Sequence, residues 1–161
     1  MRYCLIKKVV SKMFGKLKNL FGGDTGITIA APTAGTVVAL ESVPDPTFAQ
    51  GILGPGIAIE PAEGRIVAPA DGTVDVMFET GHAVSMTTAD GAELLIHVGI
   101  DTVQLEGKHY KACCKAGQQV KKGDVLIEFD PAAIKAEGYQ IEAVQNRGYR
   151  LTGVPDVLTK E

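Results

Sequence analysis

Ala-Pro-x-x-Gly-Thr-Val occurs twice in this 161-residue chain, at 31–37 and again at 68–74. In each copy Pro presets φ, Gly admits a tight turn, and a β-branched pair follows to start a strand. Two copies are too few for a solenoid array. They suggest a sandwich or barrel whose halves begin with the same turn-and-strand device. Further strands are predicted at Gly56–Glu60, Thr73–Glu79, Ala83–Thr88, Glu93–Ile100 and Val125–Phe129, separated by Pro, Gly and Asp at short intervals. The turn Gly117-Gln-Gln-Val-Lys-Lys-Gly-Asp124 precedes the last of them, and only Ala132–Glu137 reads as a helix in this part of the chain. That pattern predicts an all-β, antiparallel sandwich or barrel-like single domain with little helix. The segment after residue 138 is poorly patterned, and the final twenty residues read as an irregular tail or a weak edge strand.

A net charge of −3 hides a two-part chain. Residues 1–21 hold six basic side chains (Arg2, Lys7, Lys8, Lys12, Lys16 and Lys18) and no acid, whereas the remaining residues hold 10 bases and 19 acids. An acidic body argues against nucleic acid as a principal ligand, because phosphate backbones would be repelled. Within the basic segment Leu5, Ile6, Val9, Val10, Met13, Leu17, Leu20 and Phe21 recur at helical spacing, and the chain then reaches Gly22-Gly23. Residues 1–23 are therefore expected to be an amphipathic segment with a glycine stop, and residues 24–161 a separate domain. A basic face opposite Phe and Leu suits an anionic membrane surface; docking on the body or on a partner protein is the competing reading. Lysines interrupt every stretch that could serve as the apolar core of a signal peptide. Met13 offers an alternative start that would keep Met13–Phe21 amphipathic. No apolar run approaches the roughly 18 residues of a membrane span, so the expected location is cytoplasmic, peripheral to the inner face of the membrane. Three cysteines, two of them adjacent at 113 and 114, give neither a disulfide framework nor metal-ligand spacing.

The chemistry concentrates on one predicted hairpin. Glu-Thr-Gly-His at 79–82 and Leu-Leu-Ile-His-Val-Gly-Ile-Asp at 94–101 flank Asp90-Gly91, a strong two-residue turn signal. With those two residues as the turn, facing residues sum to 181, so Val84 faces His97 and His82 faces Gly99. The two imidazoles then sit diagonally on one face, with Thr80 and Asp101 beside them. Such a face supports several chemistries. A neutral imidazole is a nucleophile near neutral pH and can carry a labile phosphoryl group, and a second imidazole can hold its oxygens. Two His and an Asp also resemble part of a zinc site, although His109 is the one other histidine and no His-Glu-x-x-His accompanies it. His97 among Leu94, Leu95, Ile96 and Val98 also fits a core histidine. The turn Val-Lys-Lys-Gly-Asp-Val-Leu at 120–126 has some likeness to a biotinyl or lipoyl carrier, but lacks Met-Lys-Met.

Five ordered motifs narrow these alternatives. They are Val-Pro-Asp-Pro-x-Phe-Ala at 43–49, Gly-x-Gly-Ile-Ala-Ile-x-Pro at 54–61, Ala-Pro-x-Asp-Gly-Thr-Val at 68–74, Phe-Glu-Thr-x-His-Ala at 78–83 and Glu-Leu-Leu-Ile-His-Val-Gly-Ile-Asp-Thr-Val at 93–103. Together with Gly-x-x-Val-Lys-x-Gly-Asp at 117–124 and Glu-Phe-Asp at 128–130, the chain resembles the glucose-type enzyme IIA of the bacterial sugar phosphotransferase system. Phe14–Phe21 is similar to the amphipathic N-terminus of its free-standing members. The resemblance implies an antiparallel β-sandwich phosphocarrier that takes a phosphoryl group from HPr and passes it to the enzyme IIB domain of a sugar permease. It implies that His97 carries the group, that His82 supports it and that Thr80 orients His82. Asp45 and Asp101 match family acids that flank the site. Phe48, Ile52, Leu53, Phe78, Leu95 and Val98 fall at or near the family's apolar docking surface. No cofactor is required; zinc between His82 and His97 is implied only when a partner adds a carboxylate. A regulatory module whose unphosphorylated form docks on transporters or metabolic enzymes, kinases among them, is the alternative the family also allows. Two departures stand out: His109 replaces a turn glycine and reads as a surface loop residue, and the usual Thr-Pro-Val-Val-x-x-Asn strand is reduced to Ala143-Val144-Gln145-Asn146.

Overall fold

A computed structural model describes residues 29–147, so the basic amphipathic segment and the end of the chain lie outside the described residues. Ten strands form two antiparallel sheets. They are β1 (Gly35–Val38), β2 (Gly56–Pro61), β3 (Arg65–Val67), β4 (Gly72–Met77), β5 (Ala83–Thr88), β6 (Glu93–Val98), β7 (Tyr110–Ala112), β8 (Gln119–Val120), β9 (Val125–Phe129) and β10 (Ala143–Arg147). The larger sheet runs β1-β2-β10-β6-β5-β4-β8 and the smaller β3-β9-β7. Two short helices, α1 (Pro46–Ala49) and α2 (Pro131–Ala136), are started by Asp45 and Asp130, whose carboxylates accept from the backbone N–H groups of Thr47 and Ala133. The sandwich expectation holds. Helix α1 has no counterpart in the sequence reading, because four residues are too few to show helical periodicity.

Both faces of the central strands are covered, which explains why β6 does not alternate apolar and polar residues. Leu94, Ile96 and Val98 face the small sheet and pack with Ile66, Leu126 and Phe129. Leu95 faces the other way, into a second cluster with Val43, Phe48, Leu53, Phe78 and Val144. That second cluster roofs the sheet with the strap of residues 39–55, which joins β1 to β2 and carries α1.

The β5–β6 hairpin corrects the predicted register. Gly91 N–H donates to Thr88 O at 2.9 Å and Thr88 N–H to Ala92 O at 2.8 Å, closing a three-residue loop with Gly91 at φ +82°. A turn followed by a left-handed glycine is the second common way to close a hairpin. Facing residues therefore sum to 180: Ala83 pairs with His97 and Val84 with Ile96. The two repeats also needed a different explanation. A Cβ on Gly35 would lie 2.1 Å from Glu60 O, and one on Gly72 2.3 Å from Thr87 O. Glycine starts each strand because the neighbouring backbone approaches that closely, not because φ requires it.

The poorly patterned end also proved structural. β10 is a central strand, pairing with β2 on one side and β6 on the other, with Val144 opposite His97. Its short apolar run and the following Gln145-Asn146 concealed a strand buried on both faces. Both polar side chains are buried.

Candidate phosphoryl-transfer site

His97 stands on the strap side of β6, beside Ala83 and Val144 of the flanking strands. His82 is not a ladder residue, since β4 ends at Met77 and the loop 79–82 leads into β5. An extra residue in β4 accounts for the face on which Phe78 lies. Val74 faces Met86 but Val76 faces Ser85, so Asp75 is a bulge. Beyond a bulge the alternation inverts: Val74 packs in the first cluster, whereas Val76 and Phe78 join the second. Phe78 thereby reaches the histidine face and meets the His82 ring edge-on at 5.5 Å.

The two imidazoles lie 4.9 Å apart between centroids and nearly perpendicular, at 81°. Strict alternation on the corrected register would have separated them, because Val98 N–H donates to His82 O. The loop, turned at Gly81, restores the pairing that the sequence argument reached through the wrong register. Thr80 Oγ1 and His82 Nδ1 are hydrogen-bonded at 2.5 Å. Phe48 of α1 covers His97 with its ring centroid at 5.0 Å.

Both histidines are buried, and burial decides their charge. Desolvation, reinforced by the facing His97, pushes His82 down to about 3. Desolvation pushes His97 down to about 4, with the Gly99 backbone opposing. Both rings are therefore neutral at pH 7, each keeping one lone-pair nitrogen. His82 Nε2 and His97 Nδ1 are buried with no hydrogen-bond partner among the described residues.

The expected apolar docking residues divide into three groups. Phe48, Leu53, Phe78 and Leu95 gather in the cluster around the histidines, but all are buried. Val98 lies on the opposite face, in the core between the sheets. Ile52 alone of the expected docking residues is exposed, at 63%. Asp45 caps α1, and so positions Phe48, a role that its sequence context did not show. Asp101 is exposed beyond the end of β6, at φ 57°, so strand alternation does not carry it onto the histidine face. His109 stands apart from the site at φ 72°, half-buried, with Nε2 on Glu137 at 3.2 Å. Among the described residues no three His, Cys, Asp or Glu side chains come together to hold a metal, and no helix is long and apolar enough to cross a membrane.

The profile of a family described as "phosphoenolpyruvate-dependent sugar phosphotransferase system, EIIA 1" matches residues 27–145. A "PTS system beta-glucoside-specific EIIBCA component" of Dickeya chrysanthemi is 51% identical over 114 residues, which is 71% of this chain but 18% of that protein. The chain thus spans about a fifth of the length of such multidomain relatives. A "PTS system glucose-specific EIIA component" of Staphylococcus epidermidis is 47% identical over 119 residues, covering 74% of this chain and 70% of the relative. Among solved structures, glucose permease IIA from Mycoplasma capricolum superimposes with a TM-score of 0.73 at 30% identity, covering 80% of this chain and 83% of its own.

Proposed function

The chain belongs to the EIIA 1 family of the phosphoenolpyruvate-dependent sugar phosphotransferase system, and from that premise we propose that His97 is its phosphoryl carrier. The observation that carries the assignment is the pair of neutral, buried imidazoles 4.9 Å apart, of which only His82 is tied to a hydroxyl. In the proposed step the P–N bond of a phosphohistidine on HPr breaks as a new P–N bond forms to His97. His97 Nδ1 is buried, so Nε2 is the nitrogen that attacks, with the ring proton held at Nδ1. In transfer onward to an enzyme IIB domain the His97 P–N bond breaks as a P–S bond forms to a cysteine thiolate of that domain, and the electron pair returns to His97 Nε2. Relatives that carry EIIB and EIIC in the same name as EIIA support that acceptor.

His82 has the complementary task. When Thr80 O–H donates to His82 Nδ1, the ring proton resides on Nε2, which can then donate to a phosphoryl oxygen. In that tautomer the hydroxyl orients His82 with its one N–H available to the transferred group. The two rings also supply two nitrogens of a four-ligand zinc site, so a zinc ion would need a carboxylate from a partner, and the carrier reading requires none. Exposed Ile52, on the strap that covers His97, is the apolar contact offered to a partner. Incubation with phosphoenolpyruvate, enzyme I and HPr tests the reading. Acid-labile phosphate is expected on the wild-type chain and absent from His97→Ala.

A further inference from the structure

The strap of residues 39–55 is nearly self-contained. Its described backbone hydrogen bonds run within it, from Ser42 to Ala39 through Gly54 to Gly51, as do those of the Ser42 and Asp45 side chains. One described hydrogen bond crosses to the sheet: Asn146 Nδ2 donates to Gly54 O at 3.0 Å. Asn146 is 1% exposed and belongs to β10, where it faces Leu95 of β6, two residues from His97 along the same face. Only an amide nitrogen can serve a carbonyl, so this contact fixes which way the Asn146 amide points. Its Oδ1 is buried with no partner, so the donor is the amide's whole polar contribution here. An apolar residue of similar size would avoid burying that orphaned oxygen.

Phe48 is carried by the same strap and rests on His97. We propose that Asn146 is a positioning residue of the phosphoryl-transfer site: by holding Gly54 O it seats the strap, and the strap seats Phe48 against the His97 ring. The inference rests on the carrier role assigned to His97. Asn146 acts through Phe48 and touches neither the phosphoryl group nor the imidazoles. A chain with a loose strap would present His97 in a wider range of tilts, slowing the chemical step, and would displace Ile52 with the rest of the strap, weakening docking as well.

Asn146→Ala and the near-isosteric Asn146→Asp, which has no N–H, test the proposal. In both, kcat for phosphoryl transfer from phospho-HPr is expected to fall about tenfold or more, since small misplacements of reacting groups are costly, and KM is expected to rise as Ile52 moves with the strap. The His97 ring protons, read by NMR, are expected to lose the ring-current shift that Phe48 imposes. In a Phe48→Leu background Asn146→Ala is expected to add little, because both changes act through one contact. If the alanine variant fails to fold, Asn146→Asp and Phe48→Leu give the same readings. Wild-type kcat in a destabilised Asn146 variant, with the His97 ring-proton shifts unchanged, would overturn the proposal. Failure of wild-type His97 to take phosphate would instead sink the carrier reading, and the NMR comparison would still report on Asn146 alone.

Discussion

Taking an imidazole out of water disfavours its charged form, and in this chain that penalty falls on the two histidines the site needs neutral. Each would titrate near 6.5 in the unfolded chain, against about 4 for folded His97 and about 3 for folded His82. Below pH 6.5 the unfolded state therefore binds more protons. The stabilising contribution is fully present above that pH and is lost as pH falls toward the folded values. At pH 5 each histidine should have cost about 2 kcal/mol of stability relative to pH 7. Urea unfolding at both pH values should show His82→Gln losing about that much less than wild type; equal losses would mean His82 is not buried neutral. The Thr80 hydroxyl matters separately. Thr80→Val is expected to leave phosphate acceptance by His97 intact and to slow onward transfer by about 10–100-fold, the usual scale for removing a group that orients a histidine. His82→Ala should likewise accept phosphate and pass it on poorly, as rapid-quench transfer to an enzyme IIB domain would show. That Thr80, His82 and His97 gather was legible from Glu-Thr-Gly-His and Leu-Leu-Ile-His as motifs. Their burial was not, because it comes from a strap some forty residues earlier in sequence.

Among the elements, the β5–β6 hairpin shows why a correct pairing emerged from an incorrect register. Asp90-Gly91 correctly marked the turn, but the positive φ falls on Gly91 as the last residue of a three-residue loop. One added loop residue moves every partner by one. The sequence showed the turn and not its length, since two- and three-residue loops share this glycine signature. Gly91→Ala should therefore cost about 1 kcal/mol of stability through its backbone angle, since nothing lies within 4 Å of an added Cβ. The β4 bulge was equally hidden, because Val74 and Val76 look like ordinary alternation. Deleting Asp75 leaves the partners of Val74 and Val76 unchanged and makes them consecutive, so plain alternation then puts Val76 and Phe78 on the second-cluster face they already occupy. Phosphoryl transfer is therefore expected to survive the deletion, in a chain that still gives a β-type circular dichroism spectrum. Loss of transfer after that deletion would show that the bulge does more than set the face on which Phe78 lies.

At the scale of the molecule, a seven-stranded sheet has been given two jobs on its two faces. One face makes the core with the three-stranded sheet. The other holds the histidines under a strap that is joined to the sheet mainly by apolar packing. That division was visible in the sequence only as β6, an apolar run with one histidine in it, where a half-exposed strand would have alternated. β10 closes the sheet between β2 and β6, so the weakly patterned end of the domain is a structural necessity and Val144 packs directly beside the His97 ring. Everything in this arrangement converges on one nitrogen. The most direct measurement is phosphorus NMR of the chain charged by phosphoenolpyruvate, enzyme I and HPr. A single acid-labile phosphohistidine resonance on Nε2, absent from His97→Ala and retained in His82→Ala, is the predicted result. Labelling of His97→Ala at the wild-type level would contradict it.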